Sequence, residues 1–529
     1  MNDIEKTKKE KRAKRTTLTL LGILCLIVLM MIGCGQNGPA AKDMETGAET
    51  AEDGSEAIRD EATEEANENA KTGGDQNADE KGTDTSSTDI NGAGENSTDE
   101  NGLEIIATDS ESESETDAKP VESKQPLTLG DERTDVYLPL LEGKRVAVFS
   151  NQTGIVGNVI EAGGEPLNLA ERIPADGEVT YGPHILDVLI ENGVNVTAAF
   201  SPEHGFRGSA DAGASVSDSV DAKTGVPILS LYAGKSHYPS DNDMQKFDTL
   251  VIDMQDVGVR YYTYHISMYY LMDACAKAGK QIVLLDRPNP NGFYVDGPIL
   301  QDSFKSGVGQ LPLPVVYGMT WGELAQMING EGWLSAGKNA ADLTVVPCLG
   351  YRHQDKTDVI VRPSPNLKDM RAIYLYPSTC YFENTALSVG RGTEYPFEIF
   401  GSPYLEGAEG YDFSFTPKSM SGAKNPPMEG QECFGRDLRG MDTEQIWDKR
   451  IDLSYVIDAY QVIREHSPSV FFFGKADGEG IYWIDRLFGT DSVRHMIEEG
   501  KSAEEIKASW QPEIERFLEQ RRPYLLYEE

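Results

Sequence analysis

Beyond residue 144 the chain alternates short apolar runs with longer segments of helical spacing. The runs 145–149, 194–200, 226–232, 247–253 and 281–285 are apolar enough to predict strands buried on both faces. Between them, 185–193 and about 267–279 repeat apolar residues at helical intervals and stop at Gly193 and Gly279. Strands alternating with helices predict an α/β fold with a largely parallel sheet covered on both faces. The pattern then changes. A helix over 321–330 and a strand over 343–348 are followed by a stiff Pro-rich loop at 362–366. Beyond these lie a Gly-rich charged stretch at 388–397 and helices near 453–466 and 502–520. Short strands joined by long loops predict a smaller mixed α+β domain.

Polar residues cluster where the apolar runs stop. Asn151, Glu203, Asp253 with Asp256, and Asp286 with Arg287 each follow a predicted strand directly. In open α/β sheets the ligand crevice lies outside the carboxyl ends of the strands. Four strand ends therefore bring an amide, several carboxylates and a guanidinium to one rim. Any one cluster alone reads equally as helix capping or turn chemistry.

Charge separates the chain into parts. Of a net charge of -39, residues 1–34 carry +4, residues 35–130 carry -20 and the remainder carries -23, and no aromatic residue precedes Tyr137. A long acidic stretch without aromatics cannot bury enough apolar surface to offset its ordering entropy, so 35–130 predicts a disordered tether. The shortage of clustered Lys and Arg beyond residue 15 argues against a nucleic-acid partner. The basic start and the apolar run 18–32 read as an export signal. Met31-Ile32-Gly33-Cys34 resembles a bacterial lipobox, with Cys34 the lipidated residue; an uncleaved membrane anchor is the alternative. Either expectation places the protein outside the cytoplasmic membrane and attached to its outer face. The expected organisation is thus a signal at 1–34, a linker at 35–130, a catalytic α/β domain at 131–310 and an α+β domain at 311–529.

Several chemistries lack their motifs. Neither GxGxxG nor GxxxxGK[ST] is present, so no nucleotide cofactor is expected. The seven histidines form no HExxH, and the cysteines form no CxxC pattern, so no metal is expected. A GxSxG nucleophile elbow is absent as well.

The ordered blocks SNQTG (150–154), SPEHGFRG (201–208), DMQDVGVRYYTY (253–264), DRPNP (286–290), YGMTWGELA (317–325), PSPN (363–366), SVGRGTEYPFEIFG (388–401) and RRPYLLY (521–527) resemble the exo-β-N-acetylmuramidase family typified by NamZ. The resemblance runs over roughly 135–529. It implies a Rossmann-like N-terminal domain, a smaller C-terminal domain and an active cleft between them. It also implies release of terminal N-acetylmuramic acid from the non-reducing ends of peptidoglycan fragments, with muropeptides or disaccharides as partners.

Glycoside cleavage ordinarily employs two carboxyl groups, one of them a protonated acid. Glu203 in its Pro-Glu-His-Gly turn is the candidate acid, with His204 to orient it. Asp256 and Glu383 lead the candidates for the second carboxylate, ahead of Asp253, Asp286 and Glu394. Alternatively, the substrate's acetamido group acts as the nucleophile and the second carboxylate positions it. The lactyl carboxylate of muramic acid calls for a guanidinium fork; Arg391 is the first candidate, then Arg260 and Arg207, with Arg287 beside them on the rim. Arg260 reads equally as a loop-holding partner of Asp253 or Asp256. Tyr262 and Tyr264 read as sugar platforms or as core. Asn151, Asn289 and Asn366 are candidate hydroxyl or acetamido partners. The competing function is a lipoprotein that binds cell-wall glycan or muropeptides without cleaving them.

Overall fold

The computed structural model describes residues 125–158, 160–162, 165–166, 179–202, 206, 218–231 and 237–529. The chain enters its core with β1 (Arg145–Ser150). Next, β2 (Ile160–Ala162), β3 (Glu165–Pro166) and β4 (Val179–Tyr181) make a small antiparallel sheet of their own. The chain then returns to the first sheet through β5 (Asn195–Ser201), β6 (Ser219–Val220), β7 (Pro227–Ser230), β8 (Thr249–Asp253), β9 (Gln281–Leu285) and β10 (Asp342–Val346).

That sheet has the order β10-β9-β8-β1-β5-β7-β6, parallel throughout except for the short edge pairing of β6 with β7. Counting only its parallel strands in chain order, the sequence across the sheet is 3-2-1-4-5-6, the doubly wound dinucleotide-fold order. The predicted α/β class and the predicted strands are thus borne out. The strand expected over 343–348 is the far edge of this sheet, which therefore draws on chain well beyond residue 310. Thr128 exchanges backbone hydrogen bonds with Leu349, just past the end of β10, at 2.9 and 2.8 Å, so residues of the stretch expected to be linker pack on this edge of the sheet.

Alternation along the strands feeds two cores. Val146, Val148, Val251, Val283, Leu285 and Val346 face the helices Thr134–Leu141 and Ile185–Glu191. Ala147, Phe149, Leu250, Ile252, Ile282 and Leu284 face the helices Tyr264–Ala278 and Trp321–Glu331. Burial on both sides explains why the central strands read as unbroken apolar runs. The second core continues without a gap into the C-terminal region. There β11 (Ile399–Ser402), β12 (Phe413–Phe415) and β13 (Cys433–Asp437) form an antiparallel sheet in the order β11-β13-β12, joined by helices that include Ser454–His466 and Ala503–Arg521. Among the described residues no helix is long and apolar enough to cross a membrane.

Candidate functional site

The strand order reverses between β1 and β8, and there Ser150 stands in register with Asp253. Asp253 lies wholly buried and accepts from Arg287 Nε at 2.6 Å and Nη2 at 3.1 Å. The same guanidinium reaches Asp131 Oδ2 at 2.6 Å. Two carboxylates thus share one buried arginine. Burial pushes the Asp131 carboxyl up to about 7 even against that positive charge. Asp131, in the short turn before the first helix, carried no signal in the sequence pattern.

From β1 the chain turns at Asn151. Its Oδ1 accepts from Thr153 N and Oγ1 at 2.9 and 2.6 Å, closing an Asx turn. Its Nδ2 is buried without a hydrogen-bond partner. His184 caps the next helix: Nδ1 accepts from Leu186 N at 3.2 Å, which leaves Nε2–H to donate to Asn151 O at 2.7 Å. A side chain at Gly154 would place Cβ 2.2 Å from Ser150 Oγ, so this turn closes only around glycine.

Gln152 then reaches across to the Pro-rich loop, donating to Arg362 O and Pro363 O at 3.1 Å each. Tyr262 and Tyr264 donate to the same Pro363 oxygen at 2.7 and 2.9 Å. Both tyrosines are buried and their rings pack edge to face, so they brace the loop and present no open face to a sugar. Asn366, at the end of that loop, donates to Gly422 O at 2.8 Å.

Asp256 is buried beneath this brace. Its Oδ2 accepts from Gly258 N at 2.8 Å and from the Tyr317 hydroxyl, while Oδ1 has no partner. Desolvation pushes this carboxyl up to about 6. Asp286 is buried too, accepting from Thr320 Oγ1, Gly322 N and the Tyr527 hydroxyl at 2.7, 2.8 and 2.6 Å, and burial likewise takes it up to about 6. It therefore anchors a helix start and the C-terminal tail. Asn289 donates to Met319 O and accepts from Asn291 N, holding its own turn.

Arg260 pairs with neither Asp253 nor Asp256, in contrast to the loop-holding expectation. Its fully buried guanidinium donates to Pro298 O, Leu313 O and Leu487 O at 2.8, 2.6 and 2.8 Å. Three chain carbonyls converge on it, which ties the α/β core to the C-terminal helices. No face of it is open to a substrate carboxylate.

Glu383 and Arg391 differ from all of these. Arg391 Nε and Nη2 both lie on Glu383 Oε1, at 2.7 and 2.5 Å, and the two side chains remain 22% and 21% exposed. Tyr376 connects this pair to the brace. Its ring meets Tyr262 at 6.2 Å and Phe397 at 4.8 Å, and Arg391 lies over Phe397 at 5.1 Å. The neighbouring Glu394 is 60% exposed and paired with Lys368 at 3.1 Å.

The fold thus brings Asn151, Asp253, Asp256, Arg287, Tyr262, Tyr264 and the Pro363 loop together, with Glu383–Arg391 one aromatic layer away. It places Asp286 and Asn289 behind that rim and Arg260 in the core. Glu203, His204, Arg207 and Cys34 lie outside the described residues. Tyr317 and Tyr527, which hold Asp256 and Asp286, lie in the blocks 317–325 and 521–527 but at no strand end, so nothing local marks them as partners of these carboxyls. Among the described residues no cluster of three or more His, Cys, Asp or Glu is arranged to hold a metal ion.

Two family models match the chain: "Exo-beta-N-acetylmuramidase NamZ, N-terminal" over 176–371 and the corresponding C-terminal model over 374–527. The peptidoglycan beta-N-acetylmuramidase NamZ of Bacillus subtilis (strain 168) is 34% identical over 411 residues, covering 74% of this chain and 89% of that protein. Two crystal structures of DUF1343 family proteins from Bacteroides fragilis NCTC 9343 are similar in fold. One has a TM-score of 0.64 and 48% identity over 77% of this chain and 100% of that one. The other has a TM-score of 0.62 and 27% identity over 76% and 99%.

Proposed function

The chain belongs to the NamZ exo-β-N-acetylmuramidase family, and from that premise we propose how its residues divide the work. It is a glycoside hydrolase, an exo-β-N-acetylmuramidase acting on peptidoglycan. The observation that carries this is the match of both family domains across 176–527, rather than any single residue.

In our reading Glu203 is the general acid. It follows the end of β5 by two residues, which in a doubly wound sheet is the ligand-facing edge. Protonating the glycosidic oxygen lets the exocyclic bond break as positive charge spreads over the sugar ring. Glu383 is the second carboxylate. Of the two leading candidates it is the one that meets water, whereas Asp256 has one oxygen committed to Tyr317 and Gly258 and the other enclosed. Arg391, already holding Glu383, takes the lactyl carboxylate that distinguishes muramic acid from its neighbour sugar. The aromatic layer of Tyr262, Tyr376 and Phe397 keeps this pair at a fixed distance from the sheet end.

The substrates are peptidoglycan fragments bearing terminal N-acetylmuramic acid. Lipidation at Cys34, with the acidic stretch as a spacer, holds the enzyme on the outer face of the cytoplasmic membrane in this reading. Replacing Cys34 with Ala should move the protein from the membrane to the soluble fraction; retention on the membrane would overturn the lipid anchor.

The catalytic test measures release from a chromogenic N-acetylmuramic acid glycoside by the full chain. Glu203→Gln should remove most turnover while thermal unfolding stays unchanged, because losing a general acid removes about 10²–10⁴-fold. Unchanged turnover would remove Glu203 from the mechanism. Sugar binding without release by the unmodified chain would favour a glycan-binding protein instead.

A further inference from the structure

An exo-acting enzyme encloses one terminal sugar, and the rest of the glycan must then lie along the protein outside the pocket. The turn that follows the helix Ser454–His466 supplies a surface of that kind. Three successive phenylalanines occupy it. Phe472 and Phe473 are buried and pack on Tyr460 at ring distances of 5.4 and 5.1 Å, whereas Phe471 is 86% exposed. The turn closes by Gly474 N donating to Phe471 O at 3.2 Å.

This turn is fastened to the segment that carries Glu383. Ala386 N donates to Phe472 O at 2.8 Å. Gly474, at φ +71°, lies so close that a Cβ there would sit 2.3 Å from Asn384 O. The backbone of this turn thus lies against residues 384–386, next in the chain to Glu383, while the Phe471 side chain stays 86% exposed. An aromatic side chain has only two rotatable bonds, so it loses little conformational freedom when a ligand covers it and covering it favours binding.

We propose that Phe471 is a platform for the sugar on the leaving side of the scissile bond, stacking its apolar ring face and thereby selecting glycan fragments over isolated muramyl groups. The proposal rests on the glycosidase reading and on Glu383 lying in the site. The other source of apolar cover, a lipid surface, is an outcome of the test.

The experiment compares the full chain with F471A and F471W on two substrates. One is N-acetylmuramyl fluoride, which has no leaving-side ring; the other is the disaccharide of N-acetylmuramic acid linked to N-acetylglucosamine. F471A should raise KM for the disaccharide roughly tenfold, the effect of leaving one aromatic face uncovered. Its kinetics on the fluoride should match those of the unmodified chain, and F471W should restore the disaccharide KM. The ring is exposed, so folding is unaffected by either change. An unchanged disaccharide KM overturns the platform. So does an equal loss on both substrates, or weaker binding of F471A to anionic phospholipid vesicles with both KM values unchanged. Failure of the unmodified chain to release fluoride would instead overturn the glycosidase reading, so the two failures are distinguishable.

Discussion

Two carboxylate–guanidinium clusters in this molecule have the same chemistry and opposite surroundings. Arg287 with Asp131 and Asp253 is sealed at the carboxyl end of the sheet, with side chains at most 2% exposed. Arg391 with Glu383 lies in the C-terminal region and keeps about a fifth of each side chain in water. Sealed charges are held by one another and by backbone groups, and any loss leaves a partner stranded. The second pair keeps contact with water, and a ligand carboxylate can take Glu383's place on the Arg391 guanidinium. The contrast suits the first cluster to architecture, and it is the second that our proposal gives to the substrate.

Removing the shared arginine should have the largest effect on stability. Arg287→Ala leaves two buried carboxylates facing each other, and breaking a buried pair typically costs about 3–5 kcal/mol. The midpoint of urea unfolding should fall accordingly. A change below about 1 kcal/mol would show that water already reaches this cluster and would dissolve the contrast.

The buried carboxyls also set a pH dependence. Asp256 and Asp286 are both held near 6 by burial, against an ordinary value of 3.8. Between those values the folded protein keeps protons that the unfolded chain has released. Their contribution to stability is therefore full below about pH 4 and is lost as pH rises through about 6. The loss should be on the order of 2–3 kcal/mol per group. Urea midpoints taken from pH 4 to pH 7 should decline less steeply in Asp256→Asn than in the unmodified chain. Parallel profiles would mean that Asp256 titrates normally.

Tyr527→Phe is a smaller perturbation. It removes the hydroxyl that donates to Asp286 and accepts from Cys348 N at 2.9 Å, while the ring packing against Tyr351 at 4.9 Å remains. About 1–2 kcal/mol should be lost, and hydrogen exchange should quicken in the last few residues. An unchanged exchange rate would show that the tail's other bonds suffice to hold it, among them Leu526 N to Glu323 Oε1 at 2.8 Å and His353 N to Glu528 O at 2.9 Å.

Glu383→Gln should change stability least, by under about 1 kcal/mol, as for other partly exposed ion pairs. Turnover of the muramyl glycoside should nevertheless collapse. A variant that unfolds readily but turns over normally would reverse the two assignments and place Glu383 with the architecture.

How much of this was legible beforehand depends on the range of the interaction. The strand predicted over 281–285 is the observed Gln281–Leu285, because burial on both faces writes itself into consecutive residues. Asp253 and Arg287 were readable as rim residues, since each ends or follows a neighbouring strand. The full cluster was not, because the second carboxylate on Arg287 is Asp131, which lies before β1 in chain order. Tyr262 and Tyr264 left platform and core equally open. The Pro363 oxygen that receives both hydroxyls decides for the core, and that oxygen comes from a loop far along the chain.

The sequence alone determined the alternation of strand and helix, the charge-divided N-terminus, the family and the set of polar residues at strand ends. These are local or cumulative properties, written in neighbouring residues. Only the tertiary structure decided the 3-2-1-4-5-6 strand order, the confinement of Arg260 among three carbonyls and the exposure of Glu383 and Arg391. Whether a charge is sealed or open depends on what packs over it, and the packing residues come from elements far apart in the chain.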